Sequence, residues 1–488
     1  MMKTPVILLM LVFVGTMPLK AAAAFFIDDL VVNYANFSYV SSVAVGFKYV
    51  YFGTTGGILR YQFDEKRWAQ PLGFATALDE PIIHEINASF DDESIWIRTD
   101  QGIYEYNRTF EEWQPTDDMP PADPRTRHLS PRTNFFAPWG YNYMTDGFLV
   151  DDRGRRFPVT DILDDGWSNL WLAIWGLGPA GADYTSRRIE LLPYGILQED
   201  VSVLKMIDGS LWMSGQSDSS LRTGVSIFDW TENRFDYIET YPSLIRRADD
   251  INDIEAGIGD VFLATDDGVL VVDMETLKVR DQLRRSSGLP GNQTSSVCIL
   301  DSALWIGGAD GLSRINMYSD SAFQSVRVFL PGLHIRCLEV VDDDLWIGTY
   351  MGAYRYNSKN EKIGRLTASE ITQIGGVYDI KAADDQVWLA TETELAAIDL
   401  NTAEIERFPE VFNYGGAYAV DVRDTLIAVA TERGLLLLDK NDRHFPRLYT
   451  REDGLISNNV KDVLIEGEYI WVGTDRGLSR FWHKNPRL

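Results

Sequence analysis

The sequence predicts an all-β protein, a β-propeller of about ten or eleven four-stranded blades. One short phrase recurs along almost the whole chain, its copies lie about 42 residues apart, and no segment has the pattern of a long amphipathic helix. Propeller repeats of four strands each typically take about 40–45 residues. The period therefore predicts one blade per copy.

Each copy of the phrase has an apolar residue, a marker residue that is usually aromatic, a second apolar residue, a small residue and usually Thr. Examples are Leu345-Trp346-Ile347-Gly348-Thr349 and Ile470-Trp471-Val472-Gly473-Thr474. The markers are Tyr51, Trp96, Trp171, Trp212, Phe262, Trp305, Trp346, Trp388, Ile427 and Trp471. One step, from Trp96 to Trp171, is nearly double. A degenerate copy near Phe135-Phe136 would divide the 420 residues between the first and last markers into ten intervals.

The phrase forms the second strand of each predicted blade. A short strand precedes it, a Gly-containing turn and an alternating strand follow, and an Asp or Asn turn leads to a fourth strand, as at Asp439. Alternation with a period of two is typical of a sheet. We expect the marker aromatics to fill the wedge between blades and the turn glycines to supply positive φ, because both roles are structural requirements of the fold.

The N-terminus predicts export. Residues 1–24 combine Lys3, an apolar run from Val6 to Met17 and a small-residue stretch from Ala21 to Ala24, which is typical of a cleaved signal peptide. The run is shorter than the roughly 20 residues of a spanning helix. We expect a periplasmic or secreted protein, with residues 25–488 forming the repeats and no later membrane insertion.

An apolar segment near the mature N-terminus is expected to close the propeller. The last copy ends after its third strand, at Trp482, whereas residues 26–32 belong to no blade. Since unpaired edges of the first and last blades would attract other chains, we expect residues 26–32 to supply the fourth strand of the last blade. The sequence leaves open whether the blades form one large ring or two smaller propellers.

Composition excludes several classes of function. The chain has 45 Lys and Arg against 72 Asp and Glu, a net charge of −27, which argues against binding to nucleic acid or to an anionic membrane. Two Cys and five His offer little for transition metals. We expect no cofactor, although a structural divalent cation in the channel stays open. Cys298 and Cys337 could form a disulfide or be two buried thiols.

The repeats carry a family resemblance. Leu-Trp-Ile-Gly-Thr followed by Gly-Leu-x-Arg, with a lead-in such as Asp453-Gly454-Leu455-Ile456-Ser457-Asn458-Asn459-Val460, resembles the two-component regulator propeller repeat. The resemblance is strongest from about Val261 to Phe481. It implies an extracytoplasmic propeller that senses a ligand, a type often joined to a membrane histidine kinase. We expect no kinase or membrane span here, so any signal would pass through a partner such as a separate membrane sensor.

Insertions on one face predict the binding site. The entry loops and the turns between second and third strands open on the same face, and departures from the repeat cluster after Trp171 and Trp212 and between 113 and 185. The candidate ligand-binding residues are Trp139, Trp175, Asp183, Tyr184, Gln216, Asp218 and Arg222. The candidates for the channel mouth are His84, Asp250, Asn292, His334 and Asn459. A decayed blade with long, variable loops and no site would explain the first set equally well. Residues of the second set more often only satisfy backbone groups or water at such positions.

The predicted function is recognition without catalysis. Aromatic rings beside Asp, Gln and Arg suit a small molecule, a glycan or a peptide. Propellers also host enzymes, so a metal-dependent lyase or hydrolase is an alternative, and an assembly scaffold with an acidic rim is another. The enzyme alternative lacks HxxE, HxH and GxSxG patterns.

Overall fold

The computed structural model describes residues 31–484 except 75–77, 79–80, 93, 109–111, 217–219, 241–249, 318–325, 367–374 and 442–445. Within these residues the chain forms ten antiparallel sheets, which confirms the β-propeller prediction. No described helix is long and apolar enough to cross a membrane. Three short 3-10 helices lie in loops between sheets: Arg285–Ser287, Pro409–Tyr414 and Arg451–Asp453. The predicted signal peptide, 1–24, lies outside the described residues.

The first strand, β1 (Val31–Tyr34), belongs to the last sheet, and the next fifteen strands form three sheets. Sheet 1 contains β2 (Val40–Val45), β3 (Tyr49–Thr54), β4 (Gly57–Gln62) and β5 (Arg67–Trp68). Sheet 2 contains β6 (Ile83–Ala88), β7 (Ile95–Thr99), β8 (Gly102–Asn107) and β9 (Glu112–Thr116). Sheet 3 contains β10 (Arg127–His128), β11 (Tyr141–Met144), β12 (Phe148–Asp151), β13 (Arg156–Asp164), β14 (Asn169–Ile174), β15 (Gly178–Asp183) and β16 (Ile189–Leu191).

The remaining strands form seven sheets of the regular type. Sheet 4 contains β17 (Val203–Ile207), β18 (Ser210–Ser214), β19 (Thr223–Asp229) and β20 (Arg234–Thr240), and sheet 5 contains β21 (Ile251–Gly257), β22 (Asp260–Thr265), β23 (Gly268–Asp273) and β24 (Lys278–Leu283). Sheet 6 contains β25 (Thr294–Leu300), β26 (Ala303–Gly308), β27 (Gly311–Asn316) and β28 (Val326–Phe329), and sheet 7 contains β29 (Ile335–Val341), β30 (Asp344–Thr349), β31 (Gly352–Asn357) and β32 (Lys362–Arg365). Sheet 8 contains β33 (Val377–Ala383), β34 (Gln386–Thr391), β35 (Leu395–Asp399) and β36 (Ile405–Phe408), and sheet 9 contains β37 (Ala419–Arg423), β38 (Leu426–Thr431), β39 (Gly434–Asp439) and β40 (Arg447–Tyr449). Sheet 10 contains β41 (Val460–Glu466), β42 (Tyr469–Thr474), β43 (Gly477–Trp482) and β1.

Sheets 4 to 10 close into a seven-bladed ring. Their inner strands β17, β21, β25, β29, β33, β37 and β41 lie side by side in that order, and β41 returns to β17. Neither arrangement expected from the sequence describes the molecule fully. Seven of the ten sheets form one ring, and the other three form a separate unit that packs against it.

The three-sheet unit contains sheets 3, 1 and 2, packed in that order through β13, β2 and β6. Its irregular member is sheet 3, where the nine-residue β13 pairs with the hairpin β11–β12 through its first half and with β14 through its second. The long step between markers is therefore this added hairpin. The expected copy near Phe135-Phe136 is not a blade, since Phe136 makes only an isolated bridge to Arg188.

Strand β1 completes sheet 10 from the other end of the chain. It pairs antiparallel with β43, with Val31 opposite Phe481 and Tyr34 opposite Leu478. The closing strand thus lies slightly C-terminal to the expected segment, and residues 26–30 of that segment lie outside the described residues. The edge of β43 is covered by a strand of the same chain.

The marker aromatics pack between sheets. Trp305, Trp388 and Trp471 are fully buried, and each contacts residues of the following sheet, as Trp471 does with Phe228 of sheet 4 at 5.9 Å between ring centroids. Trp96 is only half-buried because no regular four-stranded sheet follows sheet 2. The repeated aromatic is therefore the filler of the interface between consecutive sheets.

The recurring Thr and Gly of the phrase shape one turn. In sheet 10 the Thr474 hydroxyl donates to the Gly477 carbonyl at 2.8 Å and accepts the Arg476 N–H at 3.1 Å. Gly477 has φ +140°, and a Cβ there would lie 2.6 Å from the Tyr34 carbonyl oxygen. The turn thus requires glycine twice, for its backbone conformation and for the approach of the closing strand.

Candidate functional site

Two concave features open on the same face of the molecule, where the entry loops and the turns between second and third strands meet. One is a cleft of about 350 Å³ at the junction of the ring and the three-sheet unit. The other is the central channel of the ring, about 530 Å³. Both volumes fall within the range of small-molecule sites.

The junction cleft is built by loops of both units. The three-sheet unit contributes the turn at Thr55 and residues Gly73, Phe74, Leu78, Pro81 and Ile82, and the ring contributes the loop from 451 to 456 and the turn at Arg476. Segments 33–36 and 199, which connect the units, complete the wall. A molecule bound in this cleft would contact both units and both connecting segments.

The cleft combines an apolar floor with a charged rim. Phe74, Leu78 and Leu455 are at most 8% exposed. Arg476 and Glu199 on the rim are exposed. This combination suits a ligand with an apolar body and polar or charged groups.

Two side-chain amides, of buried Asn36 and half-buried Asn33, hold the connecting segment in place. Asn33 Nδ2 donates to the Gly454 carbonyl at 2.9 Å, and its Oδ1 accepts the Ser479 hydroxyl at 2.6 Å. Asn36 Nδ2 donates to the Leu197 carbonyl at 2.8 Å. The wall of the cleft is thus tied to sheet 10 and to the chain that enters the ring.

The central channel is lined by the inner strands of all seven ring sheets. A side-chain link joins each neighbouring pair of sheets around it. The seven links run from Asp462 to the Leu204 N–H, from Lys205 to Glu255, from Asp253 to the Val297 N–H, from Ser296 to the Leu338 N–H, from Glu339 to the Ala382 N–H, from Asp379 to the Val420 N–H and from Asp421 to the Ile465 N–H.

Carboxylates dominate these links because a backbone N–H of the next sheet needs an acceptor. Where five of the seven inner strands begin, a bulge turns one residue toward the next sheet, and in sheets 5, 8 and 10 this residue is Asp. Asp379 Oδ1 accepts a hydrogen bond from the N–H of Ile380, the next residue, at 2.8 Å, and Oδ2 accepts one from the N–H of Val420 in sheet 9 at 2.9 Å. The channel acids therefore have a structural task.

Burial in the channel changes the acidity of these groups. Desolvation raises the pKa of Asp379 to about 7, and it raises the pKa of Asp253, Asp462 and Glu339 as well. Desolvation alone would lower the pKa of Lys205, but the nearby Glu255 carboxylate at 2.6 Å raises it. The channel disfavours further negative charge at this level.

Two of the predicted ligand-binding positions lie at opposite ends of one strand. Trp175 is in the tight turn before β15, half-buried, with its ring edge against Tyr39 at 5.2 Å. Asp183 ends β15 and Tyr184 follows it, and there the Asp183 carboxylate accepts the N–H groups of Thr185 and Ser186. The expected long loop from 175 to 184 is mostly the strand β15, so the structure does not bring these side chains together.

Arg222 belongs to an ion-pair network between the ring and the unit. It is 9% exposed and pairs with Glu239 at 2.8 Å, which in turn pairs with Arg155 of the three-sheet unit at 3.2 Å. A guanidinium at this depth requires such a partner. Gln216 is exposed and donates its N–H to Asp200 at 3.1 Å, Trp139 is 99% exposed, and Asp218 lies outside the described residues.

Four of the five predicted channel-mouth residues lie where inner strands of the ring begin but do not line the channel, whereas His84 lies on β6 of sheet 2, outside the ring. Asn292 and Asn459 each donate to an Asp of a neighbouring turn, Asp267 at 3.0 Å and Asp475 at 3.1 Å. None of the five candidates is among the described residues that line the cavity; the others are exposed His84 and His334 and half-buried Asp250.

In three of these sheets the side chain that lines the channel mouth belongs to the residue two positions after the predicted one. Asn252, Arg336 and Lys461 line the cavity where Asp250, His334 and Asn459 were expected. The β-bulge at the start of the inner strand determines which side chain faces the channel. The sequence of one strand, read without the strand that it pairs with, does not show where the bulge lies. The aromatic and cationic residues at the equivalent position of four consecutive repeats, Arg336, Tyr378, Tyr418 and Lys461, are a signal that aligning the inner strands would give.

Among the described residues no group of three or more His, Cys, Asp or Glu is arranged to hold a metal ion. Cys298 and Cys337 are free, buried thiols on the neighbouring strands β25 and β29. The disulfide left open by the sequence is therefore not formed.

Neither a protein-family model nor a curated protein matches the sequence. Solved structures similar to the chain include the extracellular domain of a putative hybrid two-component system from B. thetaiotaomicron, with TM-score 0.49, 15% identity, and coverage of 91% of this chain and 70% of that one. PorZ of Porphyromonas gingivalis, a surface component of the type-IX secretion system, gives TM-score 0.49, 15% identity, and coverage of 91% and 68%. Virginiamycin B lyase from Staphylococcus aureus gives TM-score 0.47, 13% identity, and coverage of 59% and 97%. These neighbours are similar to the chain in fold, and at these identities and TM-scores they say nothing about its function.

Proposed function

We propose that this protein is an exported recognition module that binds a small ligand in the junction cleft and acts through a partner protein. The observation that carries the proposal is the position of the cleft, whose walls come from the ring, the three-sheet unit and the two segments that connect them. A ligand there would stabilise one arrangement of the two units over others, because it gains contacts with both only in that arrangement. Such coupling is what a sensing module that acts through a partner protein needs.

The chemistry of the cleft favours a ligand that is apolar on one side. Phe74, Leu78 and Leu455 form the floor, and Arg451, Arg476 and Glu199 offer charge around it. The proposed mode of action is binding and not turnover. Conversion of a bound compound to a product would replace the proposal with the lyase or hydrolase alternative.

The test is a screen of metabolites, peptides and glycans for compounds that raise the melting temperature of the purified protein, followed by calorimetric titration of each hit. Arg476→Ala should weaken a genuine ligand at least tenfold. Arg433→Ala is the matched control, since Arg433 occupies the equivalent turn of sheet 9 and does not line the cleft. Hits that bind both variants and the wild type equally well would contradict the proposal.

A further inference from the structure

A row of cationic and aromatic side chains lies on one side of the channel mouth. It consists of Arg336, Tyr378, Tyr418 and Lys461, which occupy equivalent positions on the consecutive sheets 7, 8, 9 and 10, and is called the mouth arc below. The Arg336 guanidinium lies over the Tyr378 ring at 4.3 Å, the two tyrosine rings meet edge to face at 5.6 Å, and Lys461 Nζ lies 5.9 Å from the Tyr418 ring centroid. The arc is thus one continuous surface.

The cations of the mouth arc are unpaired within the described part of the chain. The Arg336 guanidinium makes no hydrogen bond or ion pair there, and its Nη1 is buried without an acceptor. Lys461 likewise has no carboxylate partner among the described residues. A half-buried guanidinium with unused donors has lost water without gaining an acceptor, and Arg480, whose Nε is also buried without a partner, is a second example that does not line the channel.

Deeper in the channel every cation has a partner. Lys205 pairs with Glu255 at 2.6 Å, and Lys381 pairs with Asp421 at 3.1 Å. Across the mouth from the arc, the equivalent residues are short and already bonded: Asn252 Nδ2 donates to the Thr294 carbonyl at 2.8 Å, and the Ser295 hydroxyl donates to the Ile335 carbonyl at 2.6 Å. Unused donors are therefore concentrated in the arc.

We propose that the mouth arc binds a small organic anion, whose carboxylate or other oxyanion pairs with Arg336 while its body lies against the tyrosines. A guanidinium presents a planar fork of donors that matches an oxyanion, and Lys461 adds a point charge on the far side of the rings. The Tyr378 hydroxyl, which has no hydrogen-bond partner among the described residues, can donate to the same ligand. The Tyr418 hydroxyl is already used, since it donates to Glu432.

The acids below the arc keep the anion at the mouth. Asp253, Asp379 and Asp462 lie one level deeper, and the raised pKa of each shows that this level already resists negative charge. The cavity is large enough for an anion with a ring-sized body above them. This site is distinct from the junction cleft and does not depend on it.

Calorimetric titration of the full chain at low salt with benzoate, glucuronate, sulfate and phosphate tests the proposal. Benzamide and glucose serve as neutral counterparts of the first two probes. We expect saturable binding of at least one anion, weakened by added salt, and no binding of the neutral compounds. A preference for benzoate or glucuronate over sulfate would show that the body of the ligand contributes.

Variants of the arc locate the site. Arg336→Gln should weaken anion binding at least tenfold, and Arg336→Lys should restore part of it. Arg365→Gln is the matched control because it removes the same charge from the same sheet, where Arg365 donates to the Met351 carbonyl outside the channel. Its affinity should equal that of the wild type.

Two results would overturn the proposal: a wild-type protein that binds none of the four anions saturably, or Arg336→Gln with wild-type affinity. Melting curves separate loss of binding from loss of folding, since the anion should raise the melting temperature of the wild type and of Arg365→Gln but not of Arg336→Gln. Arg476→Ala in the junction cleft should leave anion binding at the mouth arc unchanged. This variant therefore tests the two proposed sites independently of each other.

Discussion

Replacing Asp379 by Asn should make the protein relatively more stable as the pH rises. Burial in the channel raises the pKa of Asp379 from 3.8 to about 7, aided by Glu339 and opposed by Lys381. Between these two values the unfolded chain has released the proton while the folded chain still holds it. The wild type therefore loses stability as the pH rises from about 4 to about 7, and the loss is complete above that.

The size of the effect follows from the shift. At about 1.4 kcal/mol per pKa unit, the two units between pH 5 and pH 7 correspond to about 3 kcal/mol. Asn does not titrate in this range, so its variant lacks this loss. Because an amide nitrogen cannot accept the N–H of Val420 or Ile380, the variant also pays a constant cost of about 1–3 kcal/mol.

Urea unfolding followed by tryptophan fluorescence at pH 5 and pH 8 measures the difference. The free energy of unfolding of Asp379→Asn relative to wild type should rise by about 3 kcal/mol between these pH values. Asp399→Asn is the control, since the Asp399 carboxylate is exposed, accepts backbone N–H groups of its own turn and has a lowered pKa. A relative stability of Asp379→Asn that is the same at both pH values would refute the reasoning.

Four further substitutions test other parts of the fold. Trp471→Ala should lower the free energy of unfolding in urea by about 3–5 kcal/mol, because the ring is fully buried between sheets 10 and 4. Trp96→Ala should lower it by less than about 2 kcal/mol, because Trp96 is only half-buried. Equal losses in the two variants would contradict the packing role of the buried marker. Glu239→Gln should cost about 3–5 kcal/mol by the same measurement, since it leaves a buried guanidinium without its carboxylate. The hydrogen bond to Asp161 raises the pKa of His128, so the stabilisation by protonated His128 is present below pH 6.5 and is lost as the pH rises through the raised pKa. His128→Gln should therefore flatten the pH dependence of the free energy of unfolding above pH 6.5. A pH profile equal to that of the wild type would contradict a role of the His128–Asp161 hydrogen bond.

The period of the repeat predicted the fold well because each copy must solve the same packing problem. A blade needs a large flat filler, a Thr–Gly turn and alternating strands, and all three leave a mark in the residues at fixed spacing. The repeat does not show, however, how many blades close into one ring. Closure depends on which sheet packs on which, and that is decided by contacts such as Trp471 with Phe228, which are distant in sequence.

The site was harder to predict for a related reason. Exposed aromatics and long loops pointed to the region around Trp175 and Arg222, but tertiary contacts use both side chains, one against Tyr39 and the other with Glu239. The junction cleft arises where segments far apart in the chain meet. No local pattern near residues 33–36, 73–74, 81–82 or 451–456 indicates that they share a wall.

The closing strand makes the ring discontinuous in sequence. Its strands are β1 and then β17 to β43, so the three-sheet unit is an insertion within a seven-bladed domain. The chain leaves the ring and returns to it through two adjacent segments, which are joined by the hydrogen bond from the Ile196 N–H to the Ala35 carbonyl at 3.1 Å. During synthesis β1 therefore cannot pair until β43 has been made. The inserted three-sheet unit can fold before the ring is complete.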